Sequence, residues 1–197
     1  MSDRCPIPPD PTVGRFLLWL LAGSAVAMLL FGALCVALLE VACGAEPVPS
    51  KVFQARPERV VDGDTVVYPQ GVCRLIGVDA PEVAHGGHPG GHPAQPMGDQ
   101  AAEGLRGELV QGMNTVVVYG TDKYGRMLCA ILDHAGYLAN LWLVESGLAE
   151  TYLLDRAPFA RGLAEAQARA KAERRGIWGL ERYERPSDYR KRMKARE

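Results

Sequence analysis

From Phe16 to Leu39 the chain carries no charged side chain, and an apolar run of this length meets the about 20 residues that a bilayer-spanning helix needs. A core helix would keep a polar face. The run therefore predicts one transmembrane helix or uncleaved signal anchor over residues 16–39, after a cytoplasmic segment over 1–15. A cleaved signal peptide is the second reading. Its apolar region would run only about 7 to 15 residues, but the small residues Ala42, Gly44 and Ala45 suit cleavage. Glu40-Val41-Ala42-Cys43 is an imperfect lipoprotein cleavage box, with Glu40 where an apolar residue belongs. Arg4 and Arg15 precede the run while Glu40 and Glu46 follow it, so the positive-inside tendency leaves the remainder outside the cytoplasm. The expected product is a single-pass membrane protein with a periplasmic or extracellular domain, or a secreted one if the segment is cleaved.

Beyond a linker over 40–50, whose prolines favour an extended chain, the pattern changes period. Apolar, β-branched runs at Val52 to Val61, Thr65 to Tyr68 and Val72 to Val78 are punctuated by Asp62-Gly63-Asp64 and Pro69-Gln70-Gly71, which predicts three successive strands. Ala101, Ala102, Leu105, Leu109 and Val110 recur at helical spacing within Met97 to Gln111, so a helix follows despite Gly104 and Gly107. Thr115 to Tyr119 and Met127 to Leu132 read as two further strands, and Leu138 to Ser146 and Phe159 to Arg174 as helices. Three strands, a helix, two strands and helices is the order of a small OB-type barrel with helices around it. The folded domain is placed over 51–180 and a basic C-terminal tail over 181–197.

Charge sharpens this only locally. The formal net charge is −1, yet the chain ends RKRMKARE. Such a tail can meet phosphates or anionic lipid, or be a solvated helix face with a frayed end. Cys5, Cys35 and Cys43 lie in or near the membrane segment, leaving Cys73 and Cys129 in strand-like runs of the domain. Two cysteines make no disulfide framework, and buried free thiols are the default.

Three short motifs put charge where a barrel wants apolar strands or neutral turns: Val61-Asp62-Gly63-Asp64-Thr65, Arg74-Leu75-Ile76-Gly77-Val78-Asp79-Ala80-Pro81-Glu82 and Asp122-Lys123-Tyr124-Gly125-Arg126. Each alone is a plausible turn or loop. Together they hold carboxylates for a hard cation, an acid that could activate water, and guanidinium donors for charge developing on phosphorus.

In this order, with strands between, the motifs resemble the staphylococcal nuclease (thermonuclease-like) family from about Val52 through Gly176-Ile177-Trp178. The resemblance implies an α+β fold: a five-stranded OB-fold barrel with about three packed helices, behind the transmembrane segment. It also implies a calcium-dependent endonuclease, a hydrolase that cleaves DNA and/or RNA with little sequence specificity and leaves 3′-phosphate ends. Asp64, Asp79 and the main-chain carbonyl of Ala80 would ligate Ca2+, and the family often has Thr where this chain has Ala80. Glu82 matches the proposed general base, and Arg74 and Arg126 the arginines that grip the phosphate. Lys123 and Tyr124 occupy substrate-binding positions near a terminal phosphate. Tyr152 is either a further match or a half-buried aromatic on the domain's side. The partners implied are nucleic acid and, through residues 16–39, the membrane; no protein partner is inferred.

One geometric demand follows. Arg74 and Asp79 are five residues apart, so a flat strand would aim them at opposite faces. Convergence requires an irregularity, and Gly77 is where one could sit. The loop from Val83 to Pro96 carries His85, His88 and His92 among glycines and prolines. It reads as a flexible loop over the groove or, less simply, as a site for zinc or nickel. The alternative to an enzyme is a catalytically silent, nuclease-like module that binds nucleic acid or protein.

Overall fold

The computed structural model describes residues 47–84 and 92–196. The chain divides into residues 1–46 and 47–197, so the expected membrane segment, the cleavage alternatives at Ala42 to Ala45, and Cys5, Cys35 and Cys43 lie outside the described residues, as do His85 and His88. Among the described residues no helix is long and apolar enough to cross a membrane.

The domain is α+β. Strands β1 (Lys51–Ala55), β2 (Arg59–Asp62), β3 (Thr65–Tyr68), β4 (Gly71–Leu75), β6 (Asn114–Thr121) and β7 (Met127–Leu132) form one sheet in the order β1-β6-β7-β4-β3-β2. All its pairings are antiparallel except β4 with β7. Strands β5 (Val78–Asp79) and β8 (Glu150–Thr151) form a separate two-stranded ladder. The two edges of the larger sheet, β1 and β2, are separated in the chain only by Arg56-Pro57-Glu58. Pro57 has no N–H to offer a ladder, so what the sequence reads as one strand from Val52 to Val61 breaks there. Its first half pairs with β6 and its second with β3.

Alternation decides the inward faces. Asn114, Val116 and Val118 of β6 are buried while Thr115 and Val117 are half-exposed, the period of two a pleated strand imposes. Helix α1 (Gly98–Leu109) buries Ala101, Leu105 and Leu109, four residues apart on one stripe. Helices α2 (Ala139–Glu145) and α3 (Ala160–Ala172) add Leu143, Val144, Leu163 and Ala166, and these join Val66, Leu75 and Ile131 in one core. Each fully buried aliphatic side chain contributes about 1.5–3 kcal/mol of transfer free energy.

Two further expectations need correction. The run Val72 to Val78 is not one strand: β4 stops at Leu75, and the chain turns before Val78 enters the ladder with β8. The stretch read as a basic tail contains a fourth helix, α4 (Pro186–Lys194). Its proline sits in the first turn, where the missing N–H costs nothing, and Tyr189 and Met193, four apart, are buried.

Candidate active site

The site is built where β4 ends. Gly77 has φ +82, in the left-handed region that favours glycine. A side chain there would meet Leu163 at 2.6 Å and Ala157 at 2.9 Å. The turn it permits carries the chain into β5 and brings Asp79 back to Arg74, whose Nη2 donates to Asp79 Oδ1 at 2.5 Å. Asn140, fully buried, fastens the turn: its Nδ2 donates to the carbonyls of Ile76 (2.9 Å) and Cys129 (3.1 Å), and its Oδ1 accepts from the Ile131 N–H (3.2 Å).

Asp64 arrives from the β2–β3 turn, where the register shifts between Val60 and Asp62. Gly63 is needed there for close approach, since a Cβ would lie 2.6 Å from both Ala80 and Ala101. Asp64 Oδ1 accepts from Arg74 Nη1 and from Thr65 Oγ1, while its Oδ2 accepts from the Ala80 N–H at 2.9 Å. Arg74 thus bridges two carboxylates that are 1% and 0% exposed. Burial pulls its guanidinium below the ordinary arginine value, and the charges of Asp79 and Asp62 pull it back up. Glu82 is fixed through its backbone: its N–H donates to Gln95 Oε1 (3.0 Å) and its carbonyl accepts from the Gln95 N–H (2.8 Å).

Beside these groups lies a cavity of about 800 Å³. Arg74 and Glu82 line it directly, and so do Lys123, Tyr124 and Arg126 from the β6–β7 turn. Asp122 organises that turn: its carboxylate accepts from the main-chain N–H groups of Tyr124 (2.8 Å) and Arg126 (3.0 Å) and from Arg126 Nε (2.8 Å). Burial acts to raise the Asp122 pKa, but the bonds from Arg126 and Tyr124 outweigh it and hold the carboxyl below its ordinary value. Lys123 Nζ and the Arg126 guanidinium lie 5.0 and 5.5 Å from the Tyr124 ring centre. Tyr152 also lines the cavity and is anchored by its N–H to the Gly77 carbonyl at 2.9 Å.

Asp64, Asp79 and Ala80 lie behind the cavity wall, each almost fully buried. Among the described residues no three His, Cys, Asp or Glu side chains converge as a closed metal cage. What Asp64, Asp79 and nearby Glu82 offer is hard oxygen alone. Such a donor set fits a cation that completes its shell from main-chain oxygen, water and phosphate.

Several participants escape sequence reading. Arg156 lines the cavity. Arg190 of α4 reaches Asp79 and Glu82 with three hydrogen bonds of 2.6–3.0 Å. Glu150, opposite Asp79 in the β5–β8 ladder, accepts from Arg185 Nε at 2.9 Å; burial raises its pKa, with Arg185 opposing. Cys73 and Cys129 are buried free thiols on the neighbouring strands β4 and β7.

Residues 72–179, more than half of the chain, match the family described as "Staphylococcal nuclease homologue". Among curated proteins, Endonuclease YhcR of Bacillus subtilis is 32% identical over 146 residues, which are 68% of this chain and 12% of that protein. A protein named Probable endonuclease LCL3, from Zygosaccharomyces rouxii, is 32% identical over 61% of this chain and 45% of its own length. Endonuclease Htp3 of Saprolegnia parasitica is 32% identical over 60% of this chain and 57% of its own. The chain thus spans little more than half, or much less, of the relatives it matches. With the charged motifs converging at the bend after β4 and the family match running across that bend, the chain belongs to the staphylococcal nuclease homologue family.

Proposed function

We propose that this chain is an endonuclease that hydrolyses phosphodiester bonds of DNA and/or RNA with little sequence preference and depends on Ca2+. The observation that carries the proposal is the bridging of Asp64 and Asp79 by Arg74 beside a cavity that Glu82, Arg126, Lys123 and Tyr124 also line. A scaffold has no physical need for buried carboxylates bridged by an arginine next to an open groove.

Asp64 and Asp79, with the Ala80 carbonyl, would hold the cation; when bound, it supplies positive charge that polarises the phosphate and the attacking water. Glu82 orients that water and takes its proton. The new bond forms between the water oxygen and phosphorus as the bond to the 5′ oxygen breaks, leaving a 3′-phosphate and a 5′ oxygen that takes a proton from solvent to become a hydroxyl. Arg74 and Arg126 donate to the non-bridging oxygens, for which a planar guanidinium offers two parallel N–H groups. Tyr124, 72% exposed, supplies a face for stacking an unpaired base, and Tyr152 a second aromatic wall. Contacts to phosphate carry no base information.

The sheet, whose two edges join through Arg56-Pro57-Glu58, is read as an OB-type barrel. Residues 16–39 are read as a membrane anchor that places the domain outside the cytoplasm. The test is cleavage of single-stranded DNA by the full chain with Ca2+ and with chelator, comparing wild type with Glu82→Gln and Arg126→Ala. Calcium-dependent cutting that both substitutions abolish or cripple supports the enzyme. No cutting by the folded protein with any divalent ion would leave a binding module.

A further inference from the structure

The family match ends at residue 179, yet the segment after it reaches the centre of the site. Helix α4 is docked by named contacts. Tyr189 is buried and its hydroxyl donates to the Pro93 carbonyl. Gln95 Nε2 donates to the Glu184 carbonyl at 3.1 Å, and this is the same Gln95 that holds the Glu82 backbone. Arg185 is tied to buried Glu150 beside Asp79. From this platform Arg190 extends its guanidinium onto two acids at once: Nη1 to Asp79 Oδ1 (3.0 Å), Nη2 to Asp79 Oδ2 (2.8 Å), and Nη1 to Glu82 Oε1 (2.6 Å).

We propose that Arg190 is a built-in counter-ion that occupies Asp79 and Glu82 until a divalent cation displaces it, so that loading the site removes one of the contacts that hold α4 and loosens the helix. This rests on the reading of Asp64 and Asp79 as cation ligands. Both oxygens of Asp79 already accept guanidinium N–H groups, from Arg190 and Arg74, and Asp79 has no exposed surface through which another approach is open. A calcium ion bonds a carboxylate oxygen at about 2.3–2.6 Å, inside the distances at which the Arg190 nitrogens sit. Arg74 and Arg190 already share Oδ1, but Oδ2 accepts from Arg190 alone, so an ion bonded to Oδ2 would stand where Arg190 Nη2 stands and the two exclude each other by space. Arg190, with 39% of its side chain exposed, is held by its partners and not by enclosure, and its charge can leave toward the cavity it lines. There it faces incoming phosphate. The Glu82 oxygen engaged by Arg190 is also freed to take a proton.

A site open about a tenth of the time binds its ligand about tenfold more weakly than the open site would. Calcium binding to the full chain, without nucleic acid, is measured by calorimetry for wild type, Arg190→Gln and Arg192→Gln. Hydrogen exchange of residues 186–194 is followed with and without calcium. Arg192 lies on the same helix but pairs with Glu184, so its variant should bind calcium as wild type does. Arg190→Gln should bind about tenfold tighter. In wild type, exchange in α4 should accelerate on adding calcium, whereas in Arg190→Gln it should be fast throughout. Equal or weaker binding by Arg190→Gln overturns the proposal, and so does tighter binding with α4 protection unmoved by calcium in wild type. If none of the three proteins binds a divalent cation, the cation-site reading itself falls and the counter-ion falls with it.

Discussion

Asp64 and Asp79, behind one wall of the cavity, are 1% and 0% exposed, whereas Tyr124, which forms part of another side, is 72% exposed. The carboxylate side is dictated by the core: Asp79 is in a strand paired with Glu150, the bend before it packs on Leu163, and Asn140 pins its carbonyl. The hairpin side is dictated locally, by one aspartate whose oxygens collect three N–H groups from the next four residues. A side chain on the first wall therefore serves stability and chemistry together, and one on the second can serve chemistry almost alone. Substitutions should separate the walls by the ratio of lost activity to lost stability.

Arg74→Ala should have the largest effect and hit both quantities. It leaves Asp64 with no guanidinium partner and Asp79 with Arg190 alone, and breaking a buried ion pair from one side costs about 3–5 kcal/mol. Denaturant unfolding should report that loss together with a fall in kcat/KM of more than about a thousandfold. Calcium should restore part of the stability, since a bound cation meets the same charges. Retained stability in chelator would mean that the carboxylate wall does not depend on its bridging arginine.

Glu82→Gln comes next and should behave differently, although Glu82 lies on the same side. Its backbone carries the bonds to Gln95, and an amide oxygen can still accept from Arg190 although the charge of that pair is lost, so the melting temperature should fall only slightly. Removing a general base typically costs about 10² to 10⁴ in rate, and kcat should show it. A loss confined to KM would remove Glu82 from the proton-transfer role. Arg126→Ala, on the hairpin side, should lower kcat/KM by about 10² to 10³, the typical cost of one charge-stabilising donor. Its stability change should stay within about 0.5 kcal/mol, as for other surface substitutions.

The same contrast sets what could be read from sequence. The β6–β7 turn is a local device: Asp122, Gly125 and Arg126 are adjacent, and the residues naming it are the residues forming it. Helices α1, α2 and α3 follow from apolar spacing, each ending within two residues of its sequence-based limits. The need for an irregularity near Gly77 is likewise visible, because Arg74 and Asp79 cannot share a face of a flat strand. What closes the bend is not visible. Asn140 is 64 residues from the carbonyl it satisfies, and no local pattern distinguishes it from a solvent-facing helix residue. Arg190 is concealed differently. It sits in a run of basic residues whose composition suggests a solvated tail, although the spacing of Pro186, Tyr189 and Met193 marks a helix with a buried side. One arginine of that run turns inward only because the acids it meets are assembled by strands over a hundred residues earlier.

Asp122→Asn should give the smallest effect, and it asks whether the hairpin wall is as local as its hydrogen bonds make it. A neutral amide can still accept from the Tyr124 and Arg126 main chain but loses the ionic bond to Arg126 Nε. A pair at the surface, even half-buried as this one is, is worth about 0.2–1 kcal/mol, so kcat/KM should fall only about twofold to fivefold, far less than for Arg126→Ala. The pH dependence carries a definite sign. Asp122 titrates below its ordinary value in the folded protein, so its contribution is fully present above the ordinary carboxylate range and is lost as pH falls through the lower folded value. Wild-type binding of single-stranded DNA, followed by anisotropy in chelator, should weaken in that acid window through a loosened Arg126, and Asp122→Asn should flatten this part of the profile. An unchanged acid limb would mean that the turn keeps Arg126 in place by its backbone alone, making the hairpin wall more rigid than its exposure suggests.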